Sequence, residues 1–425
     1  MTEPKTSSLQ LLSLKDVADQ GLFSDGDWVE SKDQDPNGEI RLLQLADVGD
    51  GEFRDKSSRW LRQDQADTLK VTYVVAGDIL IARMPDPLGR ACIVPALSSK
   101  AITAVDVAIL RISRSDVDAR YVMWWLNSPK TRATIANLAS GTTRQRISRK
   151  NLEALTLPIP PLSEQQRIVA TLEDHLSRLE KAKADIERSA KATQRFTESL
   201  LHDIFSTDFV LRELGCTKIE RKNLSEVAEV QSGGTPKGLE RLTSDSPTEG
   251  FSVPFYKVGD MNRDERYMVS SRSYLTEAQT KDLKLKGVPK GSVVFPKAGG
   301  AIATNKKRLV KVPGPIDLNC MAVIPGEQML PTYLAWWFES FKLSDLANGS
   351  ILPQIGKSAV KQVQIPCLSL DEQELVVNYL EEKVSIVREQ ARLLRQAESS
   401  VELLRRSLLN DAFKGKLLGG IDDGN

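Results

Sequence analysis

The chain has 425 residues, with 58 Lys+Arg against 57 Asp+Glu, two His and a formal net charge of +1. That length is too great for one ordinary hydrophobic core and suits two or three domains; 40% hydrophobic and 27% charged residues exclude a collagen, a disordered chain and a disulfide scaffold. No apolar run approaches the ~18 residues needed to cross a bilayer, so a transmembrane helix is excluded and a cytoplasmic protein without membrane contact is expected.

Met1 to Ser8 has no apolar stretch behind a basic start, so no secretory signal is expected. Residues 1–157 then alternate short strand-like runs, such as Gly77 to Ile81 and Cys92 to Pro95, with Gly/Pro turns. A tryptophan-bearing helix is predicted near 120–127. A polar loop follows, Gly141-Thr142-Thr143-Arg144-Gln145-Arg146, with Arg149 and Lys150 behind it. Pro158-Ile159-Pro160-Pro161 ends this part and opens a long helix over 158–206, with Ser163 and Gln166 spaced as a capping box. No Gly or Pro appears until Gly215, so about 42 residues make a rod of roughly 60 Å.

The second mixed part, 207–365, carries strand-like runs at Val253 to Val258 and Gly291 to Phe295, and a tryptophan helix near 332–340. Its polar stretches are Lys297, the cluster Asn305-Lys306-Lys307-Arg308, and Gly349 to Gln354 followed by Lys357. Pro366 opens a second long helix over 366–418, with Asp371 and Glu374 as a capping box and Leu370 and Leu375 as a hydrophobic staple. A short tail, 419–425, remains.

The two parts are copies. Leu162-Ser163-Glu164-Gln165-Gln166 returns as Leu370-Asp371-Glu372-Gln373-Glu374, and Ser199 to Phe205 returns as Ser407 to Phe413, both shifted by 208 positions. Upstream the echo slips slightly: Tyr121 to Trp125 matches Tyr333 to Trp337, Gly77 to Ile81 matches Gly291 to Phe295, and Leu14 to Ala18 matches Leu224 to Ala228. With Ile147 and Pro158 returning as Ile355 and Pro366 at the 208-position shift, six matches in one order mark a tandem duplication. On the long helices the apolar stripe runs through Leu172, Leu176, Leu179, Ile186 and Leu200, and its copy through Leu380, Val384, Val387, Leu394 and Leu408. Both are heptad stripes in the same phase, and each must be buried. The other helix of the chain is the natural partner, and antiparallel pairing lets the second mixed part close a short gap. The expected fold is α+β: two mixed α/β domains separated by two long antiparallel coiled-coil helices, a tandem duplication with pseudo-two-fold symmetry.

Catalytic chemistry is hard to find. His175 and His202 both lie on the first long helix without a Ser or Cys at a nucleophile-like spacing. Cys92, Cys216, Cys320 and Cys367 contain no C-x-x-C pair and suit reduced thiols, not zinc ligands. Leu352 to Ser358 resembles a phosphate loop only superficially, because Ile351 stands where the first glycine is required. No active site and no metal site are expected. The remaining candidates are Thr142, Thr143, Arg144 and Arg146 in the first domain and Lys297, Asn305, Lys306, Lys307, Gln354 and Lys357 in the second. Arg, Gln and Asn suit base edges, whereas Lys and Thr suit phosphates. Residues 210–362 hold 22 Lys+Arg against 16 Asp+Glu, while 1–150 hold 21 against 20. The near-zero total therefore conceals one basic domain.

Two domains of ~150 residues, each followed by a P-x-P-P-L-x-E-Q helix start (Pro158, Pro160, Pro161, Leu162, Glu164, Gln165) and a helix ending in S-L-L-x-x-x-F (Ser199 to Phe205, Ser407 to Phe413), resemble the DNA specificity subunit of type I restriction–modification systems. Ser232-Gly233-Gly234-Thr235-Pro236 is similar to the same family's recognition domains. The second copy departs from the pattern at Cys367-Leu368-Ser369, which replaces the prolines and makes its helix start less rigid. The resemblance implies a non-catalytic subunit with two target recognition domains, each reading one half of a bipartite site in double-stranded DNA. The helices would set the gap and dock two methyltransferase subunits. S-adenosylmethionine, ATP and Mg²⁺ would be used by those subunits and by the restriction motor-nuclease subunits, with no cofactor bound by this chain. The alternative is a coiled-coil scaffold with no preference for DNA sequence.

Overall fold

The computed structural model describes residues 9–141, 144–206, 213–216, 219–248, 250–349 and 351–414. The chain separates into two compact units, one formed by 1–186 with 396–425 and the other by 187–395. The units are therefore not head and rod. Each joins one mixed domain to the near part of its own long helix and the far part of the other.

In the first unit a four-stranded antiparallel sheet runs in the order Leu22–Asp25, Val107–Arg111, Ile79–Ala82, Ala91–Ile93. The central run Ile79-Leu80-Ile81-Ala82 is buried throughout because its alternate side chains enter two cores. Ile79 and Ile81 meet Leu14, Tyr121 and the tryptophan helix Ala119–Leu126, while Leu80 and Ala82 meet Cys92, Val107 and Ile109. A three-stranded sheet of Arg59–Leu61, Ile40–Leu43 and Ala101–Thr103 lies alongside.

The second unit repeats the arrangement. Ala228–Ser232, Cys320–Pro325, Val293–Pro296 and Arg308–Val310 follow in the same order, extended by Tyr267–Met268. Val293 and Phe295 face the tryptophan helix Pro331–Glu339, and Val294 faces Tyr256 and Cys320. Gly77 and Gly291, which precede the two equivalent strands, both have positive φ (93° and 91°), a conformation that glycine adopts without steric cost.

The long helices span Leu162–Ser206 and Leu370–Ala412. Pro158 belongs to the strand Thr156–Ile159, which pairs with Gln10–Ser13; Gln364–Cys367 pairs with Glu220–Asn223 in the same way. Ser163 lies inside the first turn and is not the N-cap. In the second copy the capping box is Ser369 with Glu372, not Asp371 with Glu374. The Ser369 backbone N–H donates to Glu372 at 2.9 Å, and the Glu372 N–H donates to Ser369 Oγ at 3.3 Å. A side-chain cap thus stands where the first copy has prolines, and the second helix start is no less defined. Leu370 and Leu375 both stay exposed, so no buried staple forms there.

Both helix starts are locked by a glutamine. Gln165, fully buried, donates to the Asp116 and Pro160 carbonyls (2.8 and 2.7 Å) and accepts from Asp118 N–H (2.8 Å). Gln373 makes the same three bonds, to Gln328 and Leu368 carbonyls and from Leu330 N–H. Each core is then closed by the end of the other long helix. Phe413 packs edge-on to Tyr121 in the first unit, and Phe205 packs edge-on to Tyr333 in the second (5.3 and 5.5 Å between centroids).

Of the apolar stripe, Leu172, Leu176, Leu200, Leu380, Val384 and Val387 are buried, while Leu179, Ile186, Leu394 and Leu408 are half-buried. The spacing of the stripe predicts a helix–helix seam, but its buried ends also complete domain cores. Leu172 and Leu176 share a core with Leu14, Tyr121, Leu409 and Ala412. Lys183, an interruption of the stripe, pairs with Glu402 at 3.0 Å. Later residues of the first helix thus meet earlier residues of the second, so the segments run antiparallel within this unit. Arg405, an interruption in the copy, reaches Asp50 (3.6 Å).

Candidate nucleic-acid interface

Each unit carries a hairpin where the sequence placed its polar loop. In the first, Ser140 and Arg146 exchange backbone hydrogen bonds (3.0 and 2.8 Å) around Gly141, whose φ is 100°. Arg144 and Gln145 are exposed on it; Thr142 and Thr143 lie outside the described residues. Arg146 is half-buried, donating to the Val105 carbonyl (3.2 Å) and pairing with Asp106 (3.6 Å), so much of its side chain belongs to the scaffold. In the second unit Ala347–Asn348 pairs with Gln354–Ile355 around Gly349, φ 91°.

Both hairpins lean on the loop that follows the central strand. Ile147 N–H donates to the Arg83 carbonyl (3.1 Å), and Ile355 N–H donates to the Lys297 carbonyl (2.8 Å). Arg83 and Lys297 are thus equivalent positions. Their side chains differ in role: Arg83 is buried, with its guanidinium held by Asp25 and by the Ile147 carbonyl. Burial lowers its pKa, and Asp25 opposes that shift. Lys297 is half-buried.

The lysine cluster divides. Asn305 sits in the left-handed region (φ 53°), and its Oδ1 accepts from Leu343 N–H at 2.8 Å, which makes it a turn-former. Lys306 is half-buried and donates to Asn262 Oδ1. Lys307 corrects the expectation of a phosphate contact: it is 3% exposed and donates to the Phe341 carbonyl at 2.7 Å. Burial pushes its pKa down to about 8, against the pull of Glu339 and Asp345. Gln354 and Lys357 are both exposed. The structure therefore leaves Arg144, Gln354 and Lys357 exposed, with Gln145 beside Arg144, and takes Lys307 away. Sequence reasoning missed Arg83 and met Gln165 and Gln373 only as repeat residues, not as locks; carrying the match of Gly77 to Ile81 with Gly291 to Phe295 two positions further pairs Arg83 with Lys297 and would have exposed the first.

The side chains that remain offer hydrogen-bond donors and acceptors, not a reactive constellation. Among the described residues no group of three or more His, Cys, Asp or Glu is placed to hold a metal ion. His175 is half-buried and His202 exposed. The buried Cys92 thiol is pushed up to about 12, far from the thiolate a nucleophile needs. No described helix is long and apolar enough to cross a membrane.

Residues 9–188 match the family described as Type I restriction modification DNA specificity domain. Over 367 residues the chain is 21% identical to a putative type I restriction enzyme MjaX specificity subunit of Methanocaldococcus jannaschii, covering 83% of this chain and 81% of that protein. It is 24% identical over 274 residues to the EcoR124I/EcoR124II specificity subunit of Escherichia coli, covering 62% of each. A solved chain from a study of assembly and conformational transition in the type I R-M system superposes with TM-score 0.77 at 18% identity, covering 98% of this chain and 100% of that one. Residues 9–188 thus match the DNA specificity domain of type I restriction–modification systems, and the second copy repeats the strand order and helix lock of the first, so the chain is similar to the specificity subunits of those systems.

Proposed function

We propose that each mixed domain reads one half of a bipartite, asymmetric DNA target, and that the long helices set the gap and dock two methyltransferase subunits. The observation that carries this reading is the duplication itself. Both copies keep the same sheet, glutamine lock and helix-end aromatic contact, yet differ at their hairpin tips. One scaffold holding two different exposed tips suits two different half-sites. The methyl donor, ATP and Mg²⁺ belong to the methyltransferase and restriction subunits in this reading. Near-neutral charge fits a subunit that leaves much of the phosphate attraction to its partners.

Methylome sequencing of cells expressing the chain with its methyltransferase partner tests the proposal. The expected result is adenine methylation at one bipartite motif with a fixed gap. Arg144→Ala is expected to relax only one half, since Arg144 is exposed on the hairpin of the first domain alone. Equal loss at both halves would contradict a two-domain reader. A scaffold without sequence preference would give no motif.

A further inference from the structure

The two hairpins occupy equivalent places but present opposite chemistry. The first exposes Arg144 and Gln145, both hydrogen-bonding side chains. The second exposes Ile351 and Leu352, 92% and 73% accessible, the two most exposed large hydrophobic side chains among the described residues. Scattered exposed apolar residues are ordinary; two adjacent ones on a tight hairpin are a different matter.

The hairpin is also well anchored. Beyond its own strand pair, Gly299 N–H donates to the Pro353 carbonyl and Ile355 N–H donates to the Lys297 carbonyl, both at 2.8 Å. The apolar pair is therefore held out into solvent. Its surroundings are polar and cationic: Gln354 is exposed beyond Pro353, Lys357 is exposed three residues further, and Lys297 lies on the supporting loop. The centre of a protein–protein interface is depleted in lysine, whereas a DNA groove walled by phosphates matches this mixture. In the major groove, which admits a two-stranded ribbon, the apolar feature offered by a base pair is the thymine C5-methyl group.

We propose that Ile351 and Leu352 recognise thymine methyl groups in the half-site read by the second domain. This rests on the two-domain reading above. The first domain's hairpin would read its half through Arg144 and Gln145, so the two half-sites differ in the chemistry that selects them.

The test uses the assembled complex of the full chain with its methyltransferase subunits, on duplexes in which deoxyuridine replaces thymidine in one half-site at a time. Uracil keeps the pairing and removes only the methyl group. Methyl transfer is expected to fall roughly ten-fold in kcat/KM when the second domain's half is substituted, the scale of one lost methyl contact, and to change little for the other half. Ile351→Ala/Leu352→Ala is expected to lower transfer on thymidine DNA by a similar factor and to abolish the uracil effect, with an unchanged melting temperature because both side chains are exposed. A second-domain half-site without an A·T pair, an absent uracil effect, or a uracil effect that survives in the double variant overturns the proposal. So does loss of methyltransferase subunits from the double variant with specificity intact, which would assign the tip to a protein contact. Failure of the two-domain reading shows up separately, as the absence of a bipartite motif with the unmodified chain.

Discussion

Lys307 and Lys357 share a side chain and have opposite fates. Lys357 opens a short helix in solvent; Lys307, one position after the half-buried Lys306, turns inward to the Phe341 carbonyl, with Glu339 at 3.9 Å. In sequence both belong to basic stretches, and no local pattern separates them. Whether a lysine on a loop faces in or out depends on what non-local chain packs behind the loop, here the end of the tryptophan helix. Burial has a measurable consequence. With Lys307 at about 8 when folded and near 10.4 when unfolded, the unfolded chain binds more protons between those values. Its contribution to stability therefore rises as pH climbs from 8 toward 10.4 and is lost as pH falls through 8. Urea unfolding at pH 7.5 and 9.5 should show a larger rise for the natural chain than for Lys307→Met. Equal rises would show that this ammonium is not the linked group.

At the scale of elements, the helices were the most legible part. Gly/Pro-free stretches and a phase-matched apolar stripe placed rods close to the observed Leu162–Ser206 and Leu370–Ala412, and the tryptophan helices fell within a residue or two of Ala119–Leu126 and Pro331–Glu339. The caps were less legible, because S/T/D-x-x-E/Q spacing recurs along a charged helix, and only hydrogen bonds identify which instance closes it. The echoed motifs hid a further device. The repeated spacing of S-L-L-x-x-x-F places Phe205 and Phe413 against Tyr333 and Tyr121. Phe413→Ala, at a half-buried position, should cost about 1–2 kcal/mol of local stability. Hydrogen exchange should then speed up in Ala119–Leu126 while Pro331–Glu339 stays protected; equal loss in both helices would refute the separate closure of each unit.

At the scale of the whole molecule, the two-domain reading makes the long helices a spacer. Removing one heptad from each takes away about 10 Å of helix, or roughly three base pairs at ~3.4 Å each. Methylation mapping should return a shorter gap with both half-sites retained. An unchanged gap would show that something other than helix length sets it.

The sequence by itself determined the duplication, the extent of the rods and the resemblance to type I specificity subunits, because repeats, heptad phase and helix-breaking residues are written in the order of the chain. Tertiary structure alone decided that each compact unit combines a domain with parts of both helices, that Gln165 and Gln373 lock the helix starts, and that Lys307 is buried while Arg144 and Lys357 are exposed. These outcomes depend on partners between about 30 and nearly 300 positions away, such as Phe341 for Lys307 and Phe413 for Tyr121. No periodicity along the chain encodes which of two similar side chains will meet such a partner. The +1 net charge records only the sum; which cations remain in solvent is a property of the fold.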